Sequence, residues 1–148
     1  MNFEFKQIEA VRGEVRFYAL TKVKPSEKSE DTEDIISLFE QHIRKKHANF
    51  ATQLDRILTI MTNHSCGHSL PPTQHKKFTS NEDGTIQEHE FKTKNLRYYG
   101  VFLKEKGMFV IYASIKEPKR QKRKKDGDVA QFRELKEQVI AQILNKKD

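Results

Sequence analysis

The run GMFVIYASI at positions 107–115 restricts the fold more than any other segment of this chain. Its residues are apolar on both faces, whereas a strand with one face in solvent alternates apolar and polar side chains. The run therefore predicts a central strand that is covered on both faces. Residues 85–91 and 96–105 also have strand character, and only a tight turn at 105–107 separates the latter from the central strand. We expect an antiparallel hairpin there.

The residues before these strands predict another strand and then two helices. Apolar and polar residues alternate over 13–23, and the preceding segment NFEFKQIEAV offers a short partner strand. From Ile35 the apolar spacing changes to nearly four, and Asn49 can cap a second helix. Two helices joined so closely should fold back on each other. The polar stretch 63–84 is interpreted as a loop insertion.

A last helix is predicted near the C-terminal end of the chain. Asp126 or Asp128 can cap it, and an apolar stripe runs from Val129 to Ile143. The element order predicts an α+β fold, a mainly antiparallel sheet with an N-terminal helical hairpin and a C-terminal helix. A chain of 148 residues has room for one compact domain, so residues 1–148 are treated as a single domain.

The positive charge of the chain is concentrated in its C-terminal part. Residues 1–90 hold 12 Lys and Arg against 14 Asp and Glu, whereas residues 91–148 hold 16 against 7. The net charge of +7 therefore arises from the second segment. A field polarised in this way favours an anionic partner on one side of the molecule, most often a nucleic acid.

The composition also bounds the cellular location. No segment approaches the roughly 20 consecutive apolar residues of a membrane span. The first ten residues are too acidic for a secretion signal. A single cysteine, Cys66, excludes an internal disulfide framework and fits a reducing compartment. We expect a cytoplasmic protein with no membrane partner.

The candidate binding site is a group of cations around the predicted hairpin. The stretch KEPKRQKRKK at 116–125 follows the central strand directly. The start of one strand and the end of the next share an edge in an antiparallel hairpin, so Arg97 and Lys116 should be close. The alternative is a basic loop that binds anions nonspecifically. The cations of the candidate site are Lys92, Lys94, Arg97, Lys116, Lys119, Arg120, Lys122 and Arg123.

RNA is the preferred polyanion for such a site. Tyr98 and Tyr99 adjoin the cations, and unpaired bases can stack on aromatic faces. RNA cleavage requires a proton acceptor, a proton donor and charge stabilisation at phosphorus. We expect these roles to fall among Lys92, Lys94, Arg97, Lys116 and His89, without a cofactor. The alternative for His89 is an ordinary sheet-face histidine.

A weaker candidate is a zinc site in NHSCGHSLPPTQH. Its possible ligands are His64, Cys66, His68 and His75. The H-x-C-x-H arrangement lacks the usual separation of zinc ligand pairs, and the chain has no second cysteine. An ordinary polar loop is the preferred interpretation, and no metal is expected.

The element order together with FKTKNLRYYGVFLKEKGMFVIYASIKEPKRQKRKKDGDVAQFREL resembles the RelE/ParE superfamily of bacterial toxins, and within it the HigB/RelE-like ribonucleases. The shared pattern is a cationic link, an Arg that opens a strand, a hairpin, and an apolar strand that ends in a basic segment. An acidic residue and an Ala on a helix follow, here Asp128 and Ala130. The motif covers about residues 90–135.

The resemblance implies an mRNA-cleaving toxin of a type II toxin–antitoxin system, metal-independent, acting in many members on ribosome-bound message and held inactive by a cognate antitoxin. It implies that Arg97 contacts the scissile phosphate and that Lys92 or Lys94 assists proton transfer or charge stabilisation. Lys116, Lys119 and Arg120 would bind phosphate. The catalytic Tyr that some members carry near the last helix is missing from DGDVAQF. The alternatives are a ParE-like gyrase inhibitor, a non-catalytic nucleic-acid-binding protein and a zinc-stabilised interaction module.

Overall fold

The structure, a computed structural model, describes residues 2–23, 32–116 and 121–144. A single six-stranded sheet dominates it. In chain order the elements are β1 (Asn2–Gln7), β2 (Phe17–Val23), α1 (Ile35–Lys46), α2 (Ala51–Ser65), β3 (His75–Ser80), β4 (Ile86–Lys92), β5 (Leu96–Leu103), β6 (Gly107–Ile115) and α3 (Gln121–Leu144). A 3₁₀ turn at Ala48–Phe50 separates α1 from α2.

Strand β6 is central, as its apolar sequence predicts. The strand order is β1-β2-β6-β5-β4-β3, so β6 has β2 on one side and β5 on the other. The β5–β6 hairpin is antiparallel, whereas β2 and β6 are parallel, with Phe17 opposite Met108. Gly107 starts β6 with a φ of 129°, and a Cβ there would lie 2.6 Å from the carbonyl oxygen of Arg16. The close approach of β2 to β6 therefore requires glycine.

The sequence-based fold prediction is wrong in two respects. The sheet is mixed, and the pair of helices is not N-terminal, because β1 and β2 precede it, as the alternation over 13–23 itself predicts. Alternation identifies a strand but carries no information about the direction of its partner. A parallel pair needs a long crossover connection, and the 83 residues between Val23 and Gly107 supply it here.

Strand β3 lies inside the segment that the sequence suggested was a loop insertion. It forms the edge of the sheet and pairs with β4, with Lys76 opposite Glu90. Its sequence HKKFTS is polar, and its side chains are exposed or only partly buried. A polar edge strand has no apolar alternation, so the usual strand signal is missing.

The two faces of the sheet support two separate cores. Along β6, Met108 and Val110 face the core beneath α1 and α2, whereas Phe109 and Ile111 face the core beneath α3. This alternation is the direct consequence of the two-residue period of a strand. Helix α1 starts at an N-cap, Asp34, whose side chain accepts a hydrogen bond of 2.8 Å from the amide of Ser37.

Candidate nucleic-acid interface

A cavity of about 450 Å³ lies at the end of the sheet where β4 turns into β5. It is lined by Arg56, Ile60, Thr73, Gln74, Lys92, Thr93, Lys94 and Arg97. Four of these residues are cations, and among the described residues that line the cavity none is Asp or Glu. We call Arg56, Lys92, Lys94 and Arg97 the cationic pocket. Cations from α2, from the end of β4, from the β4–β5 turn and from β5 thus converge on one space, which favours an anion.

A buried polar network holds α2 against the β4–β5 turn. The side-chain oxygen of Gln53 accepts hydrogen bonds from the Thr93 hydroxyl at 2.6 Å and from the Asn95 amide at 2.8 Å. The side-chain nitrogen of Gln53 donates to Asn95 Oδ1 at 2.9 Å. All three side chains are buried. Because buried polar groups must be paired, this network fixes the turn that carries Lys94 and that follows Lys92 at the end of β4.

Arg97 forms the floor of the cationic pocket. Its residue is 8% exposed, and Nη1 donates to the carbonyl oxygens of Thr93 and, at 2.9 Å, of Leu96. The buried carboxylate of Glu90 lies 3.8 Å from Arg97 Nε and 3.6 Å from Lys92 Nζ. Burial lowers the pKa of Arg97, and the charge of Glu90 opposes that change. The guanidinium is thus held in one orientation by protein groups.

Arg97 and Lys116 lie at the same end of the β5–β6 hairpin, as the sequence predicts. Arg97 is opposite Ser114, two residues before Lys116. The amide of Lys116 donates to the carbonyl oxygen of Asn95 at 2.7 Å, and Asn95 Nδ2 donates to the carbonyl oxygen of Lys116 at 3.2 Å. The end of β6 therefore adjoins the turn that carries the cationic pocket.

The remaining basic candidates follow β6. Lys119 and Arg120 lie outside the described residues. Lys122 and Arg123 are in the first turns of α3, and their side chains are not among those described. The placement of these four side chains relative to the cationic pocket therefore stays a prediction.

Asp128 fastens α3 to the end of β6. It accepts hydrogen bonds from the Ser114 hydroxyl at 2.7 Å and from the Tyr112 hydroxyl at 3.2 Å. The sequence suggested that Asp126 or Asp128 caps the helix, but α3 begins at Gln121, so both residues lie within it. Asp128 acts between helix and sheet instead, because its face of the helix is buried.

The two tyrosines beside Arg97 are core residues in the structure. Tyr98 and Tyr99 are each 1% exposed, on opposite faces of β5. Tyr98 packs against Phe39 at 5.7 Å between ring centroids, and Tyr99 packs against Phe132 at 5.6 Å. Burial raises the pKa of both phenols well above its usual range. The predicted base-stacking role is not supported by these positions, since neither ring is presented to solvent.

His89 lies on the opposite face of the sheet from Arg97, in a group of three histidines. The group, which we call the histidine cluster, consists of His64 from α2, His75 from β3 and His89 from β4. His75 Nε2 and His89 Nδ1 are 2.8 Å apart, and the His64 and His75 ring centroids are 4.7 Å apart. His89 is therefore not placed to transfer protons at the cationic pocket.

The histidines of the cluster are neutral near pH 7. Burial lowers the pKa of His64 to about 4 and that of His89 to about 3, and it also lowers the pKa of His75. Of the four residues suggested for zinc, His64 and His75 belong to the cluster. Cys66 and His68 are exposed, and the Cys66 thiol lies 3.4 Å from the carbonyl oxygen of Arg12.

Sequence reasoning missed two contributors to the site, Arg56 and Gln53. Arg56 looks like an ordinary exposed helix residue, and Gln53 interrupts the apolar face of α2. A polar residue at a buried helix position is the only pattern that could have pointed to the network around the turn. The joining of His89 to His64 and His75 likewise depends on how β3 and β4 pair.

Within the described residues, no helix combines the length and apolar composition required to cross a membrane. No family model, curated protein or solved structure matches this chain.

Proposed function

We propose that this chain binds RNA at the cationic pocket and cleaves it there, as the toxin of a toxin–antitoxin pair. The observation that carries the proposal is the convergence of four cations from four segments on one cavity of about 450 Å³. A cavity of this size fits the usual range for small-ligand sites, and its charge suits a phosphodiester. RNA rather than DNA is favoured because cleavage can use the 2′-hydroxyl as an internal nucleophile.

The chemistry assigned to the pocket needs no bound metal. The 2′-oxygen attacks phosphorus and loses its proton to a base, while the 5′-oxygen leaves with a proton from an acid. The products are a 2′,3′-cyclic phosphate and a 5′-hydroxyl. Lys92, Lys94 and Lys116 are the candidates for proton transfer, and Arg97 supplies fixed positive charge for the phosphorane. Lys94 is the exposed lysine of the pocket and is the first candidate to contact the substrate.

The proposal includes partners and a location. A ribonuclease toxin must be kept inactive in the resting cell. We assign this inhibition to a cognate antitoxin, which would cover or distort the cationic pocket with an acidic contact surface. The proposed substrate is mRNA. The resemblance to the toxins implies that this mRNA is bound at the ribosome. The protein would then act in the cytoplasm.

The test is cleavage and binding of a 5′-labelled single-stranded RNA by purified protein, with a DNA oligonucleotide of the same sequence as substrate control. We expect cleavage of RNA alone, with 2′,3′-cyclic phosphate ends. Arg56→Ala and Lys94→Ala should each lower RNA affinity and reduce the slope of log affinity against log salt by about 0.7. Both side chains are exposed, so neither substitution should unfold the chain.

The matched control is Lys104→Ala, which removes an exposed lysine at the other end of the β5–β6 hairpin. It should leave affinity and salt slope unchanged. Equal losses in Lys104→Ala and Lys94→Ala would mean that RNA binds to general surface charge, and the cationic pocket would lose its assigned role.

One observation favours a second candidate, nucleic-acid binding without catalysis. The Arg97 guanidinium is oriented by Glu90 and by two backbone carbonyls, and His89 lies on the other face of the sheet. The same cleavage assay separates the two functions. Tight, pocket-dependent RNA binding with intact RNA after prolonged incubation would support the binding protein and contradict the ribonuclease.

A further inference from the structure

We propose that the histidine cluster is a binding site for a divalent transition metal, with Zn²⁺ as the preferred ion. The ligand atoms of His64, His75 and His89 all lie within 4.8 Å of one another. They come from three elements that are distant in sequence, the end of α2, the start of β3 and the middle of β4. Three convergent imidazoles are the ligand set of a zinc site with one open position.

The distance between the His75 and His89 nitrogens requires only a small adjustment. Zinc–nitrogen bonds of about 2.0–2.1 Å in a tetrahedral site place ligand nitrogens roughly 3.3 Å apart. The His75 and His89 nitrogens are now 2.8 Å apart, because they share a hydrogen bond. An opening of about half an ångström would bring this pair to the separation that zinc needs, and a rotation of the His64 ring would bring the third nitrogen, which lies within 4.8 Å of the other two, to the ion. When a metal binds, the hydrogen of His75 Nε2 moves to Nδ1 of the same ring. Each of the three neutral imidazoles then offers one lone pair to the ion.

Gln87 sets the tautomer of His89 that a metal needs. Its side-chain nitrogen donates to the carbonyl oxygen of Gly84 at 3.2 Å, so its side-chain oxygen faces His89. His89 Nε2 lies 2.9 Å from that oxygen and must carry the hydrogen. The Nδ1 atom then presents its lone pair to His75 and to the centre of the cluster. A polar partner on the far nitrogen of a histidine is the usual outer support of a metal ligand.

The surroundings favour a transition metal over Mg²⁺ or Ca²⁺. The cluster contributes nitrogen donors, which suit Zn²⁺, Cu²⁺ and Ni²⁺, whereas the hard cations prefer oxygen. The ring centroid of Phe91 lies 5.2 Å from those of His64 and His75, and the ring centroid of Phe17 lies 6.2 Å from that of His64. These apolar rings limit water on one side of the cluster and hold the imidazoles in place.

Two nearby lysines bear on the affinity. The positive charges of Lys77 and Lys92 act on His75 and oppose any cation bound beside it. We therefore expect weaker binding than in a closed zinc site with cysteine ligands. The site would fasten β3, a polar edge strand, to α2 and β4. It would also steady one wall of the cationic pocket, because Gln74 precedes His75 and accepts a hydrogen bond of 2.9 Å from the Lys92 amide.

The experiment uses the full chain without a polyhistidine tag, cleared of metal by a chelator and dialysed. Zn²⁺ is titrated in competition with a chromogenic chelator, and Co²⁺ is titrated by its visible absorption. We expect one ion per chain, with the intense absorption of a tetrahedral Co²⁺ site. His64→Asn, His75→Asn and His89→Gln should each weaken binding by at least about tenfold, because even the loss of a hydrogen-bond partner behind a ligand typically costs about 10–100-fold.

His68→Gln and Cys66→Ser are the matched controls, because both residues are exposed in the same segment and lie outside the cluster. They should bind as wild type does. If a cluster variant fails to fold, the site is tested in the wild-type protein instead. NMR then measures the chemical shifts of the imidazole nitrogens with and without Zn²⁺. Shifts confined to His64, His75 and His89 support the site. Absence of stoichiometric binding, or loss of binding in His68→Gln, overturns it, whatever the outcome for RNA cleavage.

Discussion

Arg97 Nε lies 3.8 Å from the carboxylate of Glu90, which is almost completely buried beneath the cationic pocket. Lys92 Nζ approaches the same carboxylate at 3.6 Å. The pocket therefore consists of cations around a buried negative charge that orients two of them. Glu90 therefore has two opposite effects. It stabilises the fold by pairing with two cations, and it reduces the positive charge that the pocket offers to an anion.

Glu90→Gln should lower stability and raise RNA affinity. The substitution leaves the largely buried Arg97 and Lys92 charges without their carboxylate, and breaking such a pair costs about 3 kcal/mol. The site gains one positive charge, so RNA should bind more tightly and with stronger salt dependence. Urea unfolding and RNA titration measure the two effects. Glu82→Gln, at an exposed turn position, is the control and should change neither. Unchanged stability would show that Glu90 is not the partner that the structure indicates.

Gln53→Leu tests whether the buried network positions the pocket. The leucine removes the hydrogen bonds that Gln53 makes with the Thr93 hydroxyl, with Asn95 Oδ1 and with the Asn95 amide, and each buried unsatisfied group costs roughly 1–3 kcal/mol. We expect a loss of about 3 kcal/mol in the free energy of unfolding, together with weaker RNA binding well below the unfolding transition. Gln138→Leu places the same change at an exposed position of α3. Normal RNA affinity in a folded Gln53→Leu protein would contradict the positioning role.

Tyr112 should make stability fall in alkali. Burial, and then the charge of Asp128, raises the pKa of Tyr112 to about 12, against about 10 in an unfolded chain. Its phenol is neutral when protonated, so its contribution is complete below pH 10 and is lost as the pH rises from about 10 to about 12. Unfolding in urea at pH 8 and pH 11 measures the change. Tyr112→Phe should lose less stability between the two conditions than wild type, and an equal loss would contradict the raised pKa.

The central strand and the shared edge of Arg97 and Lys116 could be predicted, because both depend on patterns within one hairpin. The mixed sheet could not, because the partner of β2 lies 83 residues away along the chain and its direction has no local signal. The burial of Tyr98 and Tyr99 could have been predicted from the sequence. A strand next to a doubly covered strand is itself covered on both faces, so two consecutive aromatic residues there belong to two cores.

The position of Arg56 and the assembly of the histidine cluster could not be predicted from the sequence. Arg56 enters the site because Gln53, one turn earlier on α2, is bonded to the β4–β5 turn. His89 joins His64 and His75 because β3 pairs with β4 in a register that puts His75 opposite Phe91 and Lys77 opposite His89. A one-residue change of that register would move the His75 ring to the other face of the sheet. Tertiary pairing therefore decides both sites, and spacing along the chain does not.

Zinc should protect one edge of the sheet from hydrogen exchange and leave the other unchanged. Strand β3 is a polar edge strand fastened to the fold mainly through β4, so its amides should exchange by local opening. An ion bound to His75, His64 and His89 must leave before β3 separates. At a zinc concentration of 100 times the dissociation constant this raises the opening free energy by about 2.7 kcal/mol, which is a slowing of about 100-fold.

Hydrogen exchange followed by mass spectrometry, with and without Zn²⁺, measures this effect. Strand β1, at the opposite edge of the same sheet, provides an internal control because it is far from the cluster in the strand order. Slower exchange in residues 75–80 alone fits a metal that joins β3 to its neighbours. Slower exchange at both edges would indicate stabilisation of the whole fold. No change in β3 at saturating Zn²⁺ would mean that the ion binds without fastening this strand, because a ligand bound only to the closed edge must lower the frequency of its opening.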